Sequence, residues 1–138
     1  MKTSNQNQSK ALNITLWVAQ LLLAAMFLMA GFMKLTTPIE QLIAEQPWAA
    51  NVPPALVKFI GLSELAAAIG LLVPSALRIM PKLTVWAAIG LIVLMGFALV
   101  FHVSRGEFSA ITVNLILSGL ALFVAWGRSK KAVIAARA

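Results

Sequence analysis

The sequence predicts an all-α polytopic membrane protein: a four-transmembrane-helix bundle with both termini cytoplasmic and a short outer amphipathic helix between spans one and two. Three observations carry that expectation. Of 138 residues, 61% are hydrophobic and only 11% charged, where soluble domains carry charge on about a quarter of their residues. Four apolar stretches reach the length of about 20 residues that a helix needs to cross hydrocarbon. The basic residues stand at the borders of these stretches and are unevenly shared between the two sides. None of the stretches alternates as a barrel strand does, and lipid tolerates no open sheet edge, so the spans are read as helices. A soluble bundle would need polar helix faces that spans one, three and four do not offer.

In chain order, residues 1–11 are polar and expected to form a flexible, frayed cytoplasmic tail, and residues 12–128 form one transmembrane domain. Span one is Ile14–Met33. Its apolar core is longer than the central region of a secretory signal, and "GFMKLTTP" offers no small-x-small cleavage site, so it is expected to stay as the first helix. The outer segment 34–54 follows. Within it, "TPIEQLIAEQ" predicts a short helix with Thr37 as cap, Pro38 in the first turn and Glu40 completing a capping box. Ile39, Leu42 and Ile43 give that helix an apolar side, which suits an interfacial linker or a lid over the outer mouth of the bundle.

Span two, Leu56–Val73, contains Lys58 and Glu64 and is expected to end at Pro74. "PSALRIMPK" then reads as a brief turn closed by Pro81. Span three is Leu83–Phe101, "HVSRGE" (102–107) a tight outer hairpin turning at Gly106, and span four Phe108–Trp126. Residues 129–138 form a basic cytoplasmic tail. Glycines 31, 61, 70, 90, 96 and 119 lie within spans, where close helix packing is their default use.

With four crossings, one side holds Lys2, Lys10, Arg78, Lys82, Arg128, Lys130, Lys131 and Arg137, and the other only Lys34, Lys58 and Arg105. The richer side is assigned to the cytoplasm by the positive-inside rule. Trp17, Trp86 and Trp126 fall at that same side, as an interfacial aromatic belt would.

Composition also removes function classes. With no cysteine and one histidine, the chain supplies no thiolate, no haem ligand pair and only a weak metal signal. No nucleotide-binding glycine loop or nucleophilic triad is present. The net charge of +7 is scattered along the chain, not gathered in a tract, so no nucleic-acid partner is expected.

One residue stands out. Glu64 is the lone charge in "GLSELAAAIGLL", roughly 12 Å below the start of span two at 1.5 Å of rise per residue. A charge at mid-span disfavours insertion by about 2.5–3.5 kcal/mol, so it normally faces protein or water. Gly61 and Ala68, three before and four after it, put small residues on its face and allow close helix approach. Lys58, six positions away, points elsewhere; Lys34 or His102 is the better partner. Asn114 lies about 9 Å below the outer end of span four. Glu64, His102, Asn114 and Lys34 are therefore the candidate lining of a polar cavity opening outward, against the alternative of a buried network that only orients the bundle. Gln20 and Ser118 are deeper, uncharged, and open to satisfaction by a neighbouring helix.

The order of "AGFMKL" (30–35), "GLSELAAAIGLLVP" (61–74), His102 ending span three and Asn114 in span four resembles the DoxX-like family of small four-helix bacterial membrane proteins. The resemblance covers nearly the whole chain after the first ten residues and marks Gly31, Lys34, Gly61, Glu64, Gly70, Pro74 and His102 as family positions. It implies a bacterial cytoplasmic (inner) membrane protein, sometimes linked to quinone-dependent oxidation of sulfur compounds beside a second oxidoreductase subunit. It firmly implies no cofactor but admits a quinone. By their placement, Glu64 is the candidate to take up a proton in quinone reduction or to accompany a translocated substrate, with His102 as a relay nearer water. The alternatives are a carrier for a small metabolite or protons, for which a homodimer is expected, and a purely structural partner among membrane lipids.

Overall fold

A computed structural model describes residues 2–138, with side chains from residue 9 onward. The polar residues expected to form a frayed tail are instead helical from Lys2 as the first turns of α1. Helix α1 spans Lys2–Thr36, α2 Ile39–Glu45, α3 Pro54–Leu77, α4 Lys82–Arg105 and α5 Phe108–Trp126; a 3₁₀ turn covers Pro47–Asn51 and a π turn Gly127–Lys131. Among the described residues there is no strand, and α1, α3, α4 and α5 are each long and apolar enough to cross a membrane.

The four long helices close a ring in which α1 packs on α3, α3 on α4, α4 on α5, and α5 back on α1 through the sparsest of these contacts. The inside is built largely from small residues. Ala19, Ala24, Ala68, Ala88, Ala121 and Ala125 are buried with Leu23, Leu71 and Leu91, while Phe97, Trp86 and Phe59 are more than half exposed. Water would not tolerate so apolar an exterior on a monomer, and lipid favours it. In that solvent the helices associate by close packing, which explains why so many alanines sit inside and so many bulky residues outside.

Two glycines let α1 and α3 come close. A Cβ on Gly31 would lie 2.6 Å from the Gly61 carbonyl oxygen, and one on Gly61 would lie 2.8 Å from Lys34 Cβ. Gly70 plays the same part between α3 and α4, where an added Cβ would meet Ala87 Cβ at 2.8 Å. The packing role expected of Gly90, Gly96 and Gly119 is not realised: nothing within 4 Å would meet a Cβ there.

Other local expectations are corrected too. Pro74 does not end its helix; it sits buried inside α3, which continues to Leu77. The proline forgoes one backbone hydrogen bond, and its neighbour Ser75 holds the last turn against α4 through a 2.7 Å bond to Thr84. The turn therefore shrinks to 78–81, with Arg78 and Met80 in the left-handed region at φ 58° and 48°. Likewise α4 runs on to Arg105, so the hairpin narrows to Gly106 and Glu107, and Gly106 adopts the φ of 68° that glycine favours. The capping box is absent: α2 begins at Ile39, Pro38 occupies the cap position, and no side chain caps it. Pro38 instead supplies its carbonyl to Leu42 N–H at 3.0 Å. Leu42 of α2 joins Ala49 and Val57 in a small separate core, flanked by Ile39, Ile43 and Trp48.

The end of the bundle that carries both chain termini is tied by Arg128. This guanidinium is 3% exposed; it donates to Gln20 Oε1 and Asn13 Oδ1, both at 2.6 Å, and to the Ala132 carbonyl at 3.1 Å. Gln20 in turn donates to the Leu71 carbonyl, joining α1 to α3. Trp17 lies beneath the guanidinium, with Arg128 Cζ 5.2 Å from its ring centroid.

Candidate functional site

The site is built by two short patterns on facing helices. Gly31 and Lys34 are three residues apart on α1, as Gly61 and Glu64 are on α3, so each pattern presents both members to the partner helix. With no side chain at Gly61, the Lys34 stem lies directly across α3. Lys34 Nζ then donates to both Glu64 carboxylate oxygens, at 2.9 and 3.1 Å. The two residues are only 6% and 4% exposed. A lone charge at this depth would be strongly disfavoured, whereas a hydrogen-bonded pair is held by attraction that a low dielectric strengthens. Lys58 does not compete; its ammonium donates to the Leu35 carbonyl at 2.8 Å.

The pair forms one wall of a cavity of about 460 Å³, and Lys34, Glu64, His102 and Asn114 all line it. Asn114, 8% exposed, projects from α5. Among the described residues its amide has no hydrogen-bond partner, leaving two N–H donors and a carbonyl acceptor free in the cavity. His102, on the last turn of α4, directs Nδ1 to the Glu107 carboxylate. Its Nε2 is free of hydrogen bonds among the described residues, so the ring can serve as acceptor or, when protonated, as donor. His102 thus pairs with Glu107, while Lys34 is the partner of Glu64.

Glu107 lies outside the spans and is held from two sides, by His102 and by Arg105 Nε at 2.8 Å. These hydrogen bonds, that of His102 first, keep its carboxyl below the usual carboxylate range. The rim of the cavity is also aromatic. Lys34 Nζ lies 5.9 Å from the Trp48 ring centroid, and Trp48 meets Phe101 edge to face at 6.5 Å.

Sequence reasoning missed Gln46, which joins α2 to the 3₁₀ turn, and Trp48 within that turn; both line the cavity and are joined by a 3.1 Å hydrogen bond. The aromatic at 48, between Pro47 and Pro53, was the available signal: a tryptophan beside a membrane mouth is commonly an anchor or a wall. It also missed the apolar side wall of Met26 and Met29 from α1 and Val113 from α5. Among the described residues no three His, Asp or Glu side chains gather in a group that could hold a metal ion.

Comparison with known proteins gives one positive finding: the profile described as DoxX-like family matches residues 18–124. No curated protein and no solved structure matches the chain. The matched region contains the Gly31–Lys34 and Gly61–Glu64 patterns, His102 and Asn114, and stops before Arg128.

Proposed function

Since the chain belongs to the DoxX-like family of membrane proteins, we propose that it is the quinone-facing subunit of a membrane oxidoreductase, with the Lys34–Glu64 cavity as the headgroup site. The observation that carries this reading is the cavity's side wall. Met26, Met29 and Val113 line the cavity and are also 43%, 64% and 48% exposed on the apolar exterior of α1 and α5. The cavity therefore communicates with the bilayer at the sparsest helix seam, where a headgroup can enter while an isoprenoid tail stays in lipid. That access favours a lipid-soluble ligand over the water-soluble cargo of a carrier, because Gln46 and Trp48 flank the aqueous end.

The residues present fit such a headgroup. A quinone is a flat apolar ring bearing two carbonyl acceptors, and the cavity offers apolar walls with separated donors, the Asn114 amide and the Lys34 ammonium, beside the His102 ring. A bound quinone supplies redox chemistry, taking up two electrons and two protons. The chain's own part is to bind and to handle protons. Glu64, one hydrogen bond from Lys34, is the carboxyl placed to give or take a proton inside the cavity, and His102 with Glu107 forms the polar connection toward the hairpin. Electrons come from a second subunit in this reading. The same reading puts the chain in the bacterial inner membrane with both termini inside, supported by the uneven placement of its lysines and arginines.

The test is native purification of the wild type and of Asn114→Leu, followed by solvent extraction and mass spectrometry. Quinone retained near one per chain by the wild type and lost from a folded variant is the expected result. Equal trace amounts in both would overturn the assignment.

A further inference from the structure

The end of the bundle opposite the Glu64 cavity holds a buried cation that has no acidic partner among the described residues. Arg128 is 3% exposed, and its hydrogen bonds go only to neutral groups: Gln20, Asn13 and the Ala132 carbonyl. Its Nη2 is buried and has no partner among the described residues. The sequence has only four acidic residues, Glu40, Glu45, Glu64 and Glu107, and all belong to the other end or to the mid-depth ion pair. Burying a guanidinium without a counter-ion is strongly unfavourable, so an anion from outside the chain is the missing element.

A place for it adjoins the arginine. Arg128 lines a cavity of about 230 Å³ together with Lys82, Ser129 and Ser75, and the remaining walls are apolar, with Trp86 and Ile89 among them. Trp86 and Ile89 are 65% and 37% exposed on the apolar exterior of α4, so the cavity is continuous with the lipid-facing surface. Val133 and Ile134 of the carboxyl-terminal segment close another side. That segment is strapped down by Arg78, whose Nε donates to the Ala135 carbonyl at 2.8 Å and whose carbonyl accepts Arg137 N–H at 2.9 Å.

We propose that this cavity binds the phosphate of one anionic phospholipid, held by Arg128 and Lys82, with an acyl chain lying along Trp86 and Ile89. Two cations suit a phosphodiester, since charge-assisted bonds to phosphate are among the strongest hydrogen bonds available. The apolar walls select a lipid over a free ion. The site is separate from the Lys34–Glu64 cavity and does not depend on what that cavity holds. It also gives the basic end a structural use beyond orienting the chain: the lipid supplies the counter-charge that locks α1, α4, α5 and the terminal segment together.

The experiment uses full-length protein, delipidated in a neutral detergent and titrated with phosphatidylglycerol, phosphatidylcholine or inorganic phosphate, while thermal unfolding and lipid retention by native mass spectrometry are followed. Saturable stabilisation and one retained phosphatidylglycerol per chain are expected, with little response to phosphatidylcholine. Lys82→Gln, a change at an exposed position that leaves the fold intact, should weaken phosphatidylglycerol binding about fivefold, the worth of one basic residue near an anionic headgroup. Arg128→Lys should weaken it further. Equal stabilisation by the two lipids, or an undiminished affinity in Lys82→Gln, overturns the proposal; the same stabilisation by inorganic phosphate alone overturns the lipid as the source of the anion.

Discussion

The two ends of the bundle each bury a cation, and they satisfy it differently. At one end Lys34 meets a carboxylate carried by the same chain, and the pair lines a cavity with an apolar side wall. At the other, Arg128 meets only amide oxygens, a carbonyl and an indole ring. The first arrangement is internally neutral and leaves free donors nearby, which suits a site for a neutral ligand whose protonation changes. The second is a positively charged clamp whose remaining valence is open to an anion. The difference teaches that a buried charge in a small membrane protein is informative through its partner more than through its depth.

The comparison breaks most severely if one member of the ion pair is removed. Glu64→Ala leaves the Lys34 ammonium buried and unpartnered, and should lower stability by about 3–5 kcal/mol. The combined Lys34→Met, Glu64→Leu chain should recover most of that loss, since it removes both charges. Equilibrium unfolding in mixed micelles of the single and double variants measures both effects, and an unaffected Glu64→Ala would show that the pair does not form.

At the opposite end, Gln20→Leu deprives Arg128 of its Nε acceptor and the Leu71 carbonyl of a donor. The expected loss is about 1–3 kcal/mol, smaller because Asn13 and the Ala132 carbonyl still hold the guanidinium. The same unfolding assay checks it; a loss matching that of Glu64→Ala would erase the distinction between the ends.

Backbone approach sharpens the comparison further. Gly61→Ala puts a Cβ 2.8 Å from Lys34 Cβ and 3.0 Å from the Gly31 carbonyl oxygen, and overpacking of that kind costs about 1–3 kcal/mol. Gly90→Ala faces open space and should leave the melting temperature unchanged or slightly raised. Thermal melts of the two variants side by side distinguish a glycine needed for close packing from one that is merely within a span.

The smallest effect is one of pH. The Glu107 carboxyl is held low by His102 and Arg105, so its contribution to the hairpin is fully present above the usual carboxylate range and fades as pH falls through the lowered value. Hydrogen exchange at the Glu107 amide, which donates to the His102 carbonyl at 3.1 Å, should quicken relative to its intrinsic rate in that acid window. Glu107→Gln should abolish the dependence.

Much of this was legible in the sequence, for identifiable reasons. The spans were readable because apolar runs of membrane length have few alternative uses. Glu64 stood out because a carboxylate there needs an explanation, and the glycine three residues before it showed where a neighbour could come close. Pro74 misled because a proline in a buried helix can be absorbed when side chains such as Ser75 tie the following turn. The capping box at Thr37 failed because Pro38 took the cap position itself. Arg128 was read as one more basic border residue, since nothing local in "WGRSKK" announces that α1 and α3 supply Asn13, Gln20 and the Leu71 carbonyl around it. Trp48 and the Met26–Met29–Val113 wall depend on how α1, α5 and the 3₁₀ segment meet in space, which spacing along one helix does not encode.

The central claim is that the Lys34–Glu64 cavity binds a quinone headgroup reached from the bilayer. Trp48, at the cavity's rim, provides the direct measurement: titration of a short-chain quinone into protein whose Trp17, Trp86 and Trp126 are changed to phenylalanine, in lipid nanodiscs, with Trp48 fluorescence recorded. Saturable quenching that approaches one quinone per chain and is lost in the same protein carrying Asn114→Leu is expected. Quenching that rises linearly with quinone and is identical in the two proteins would contradict it.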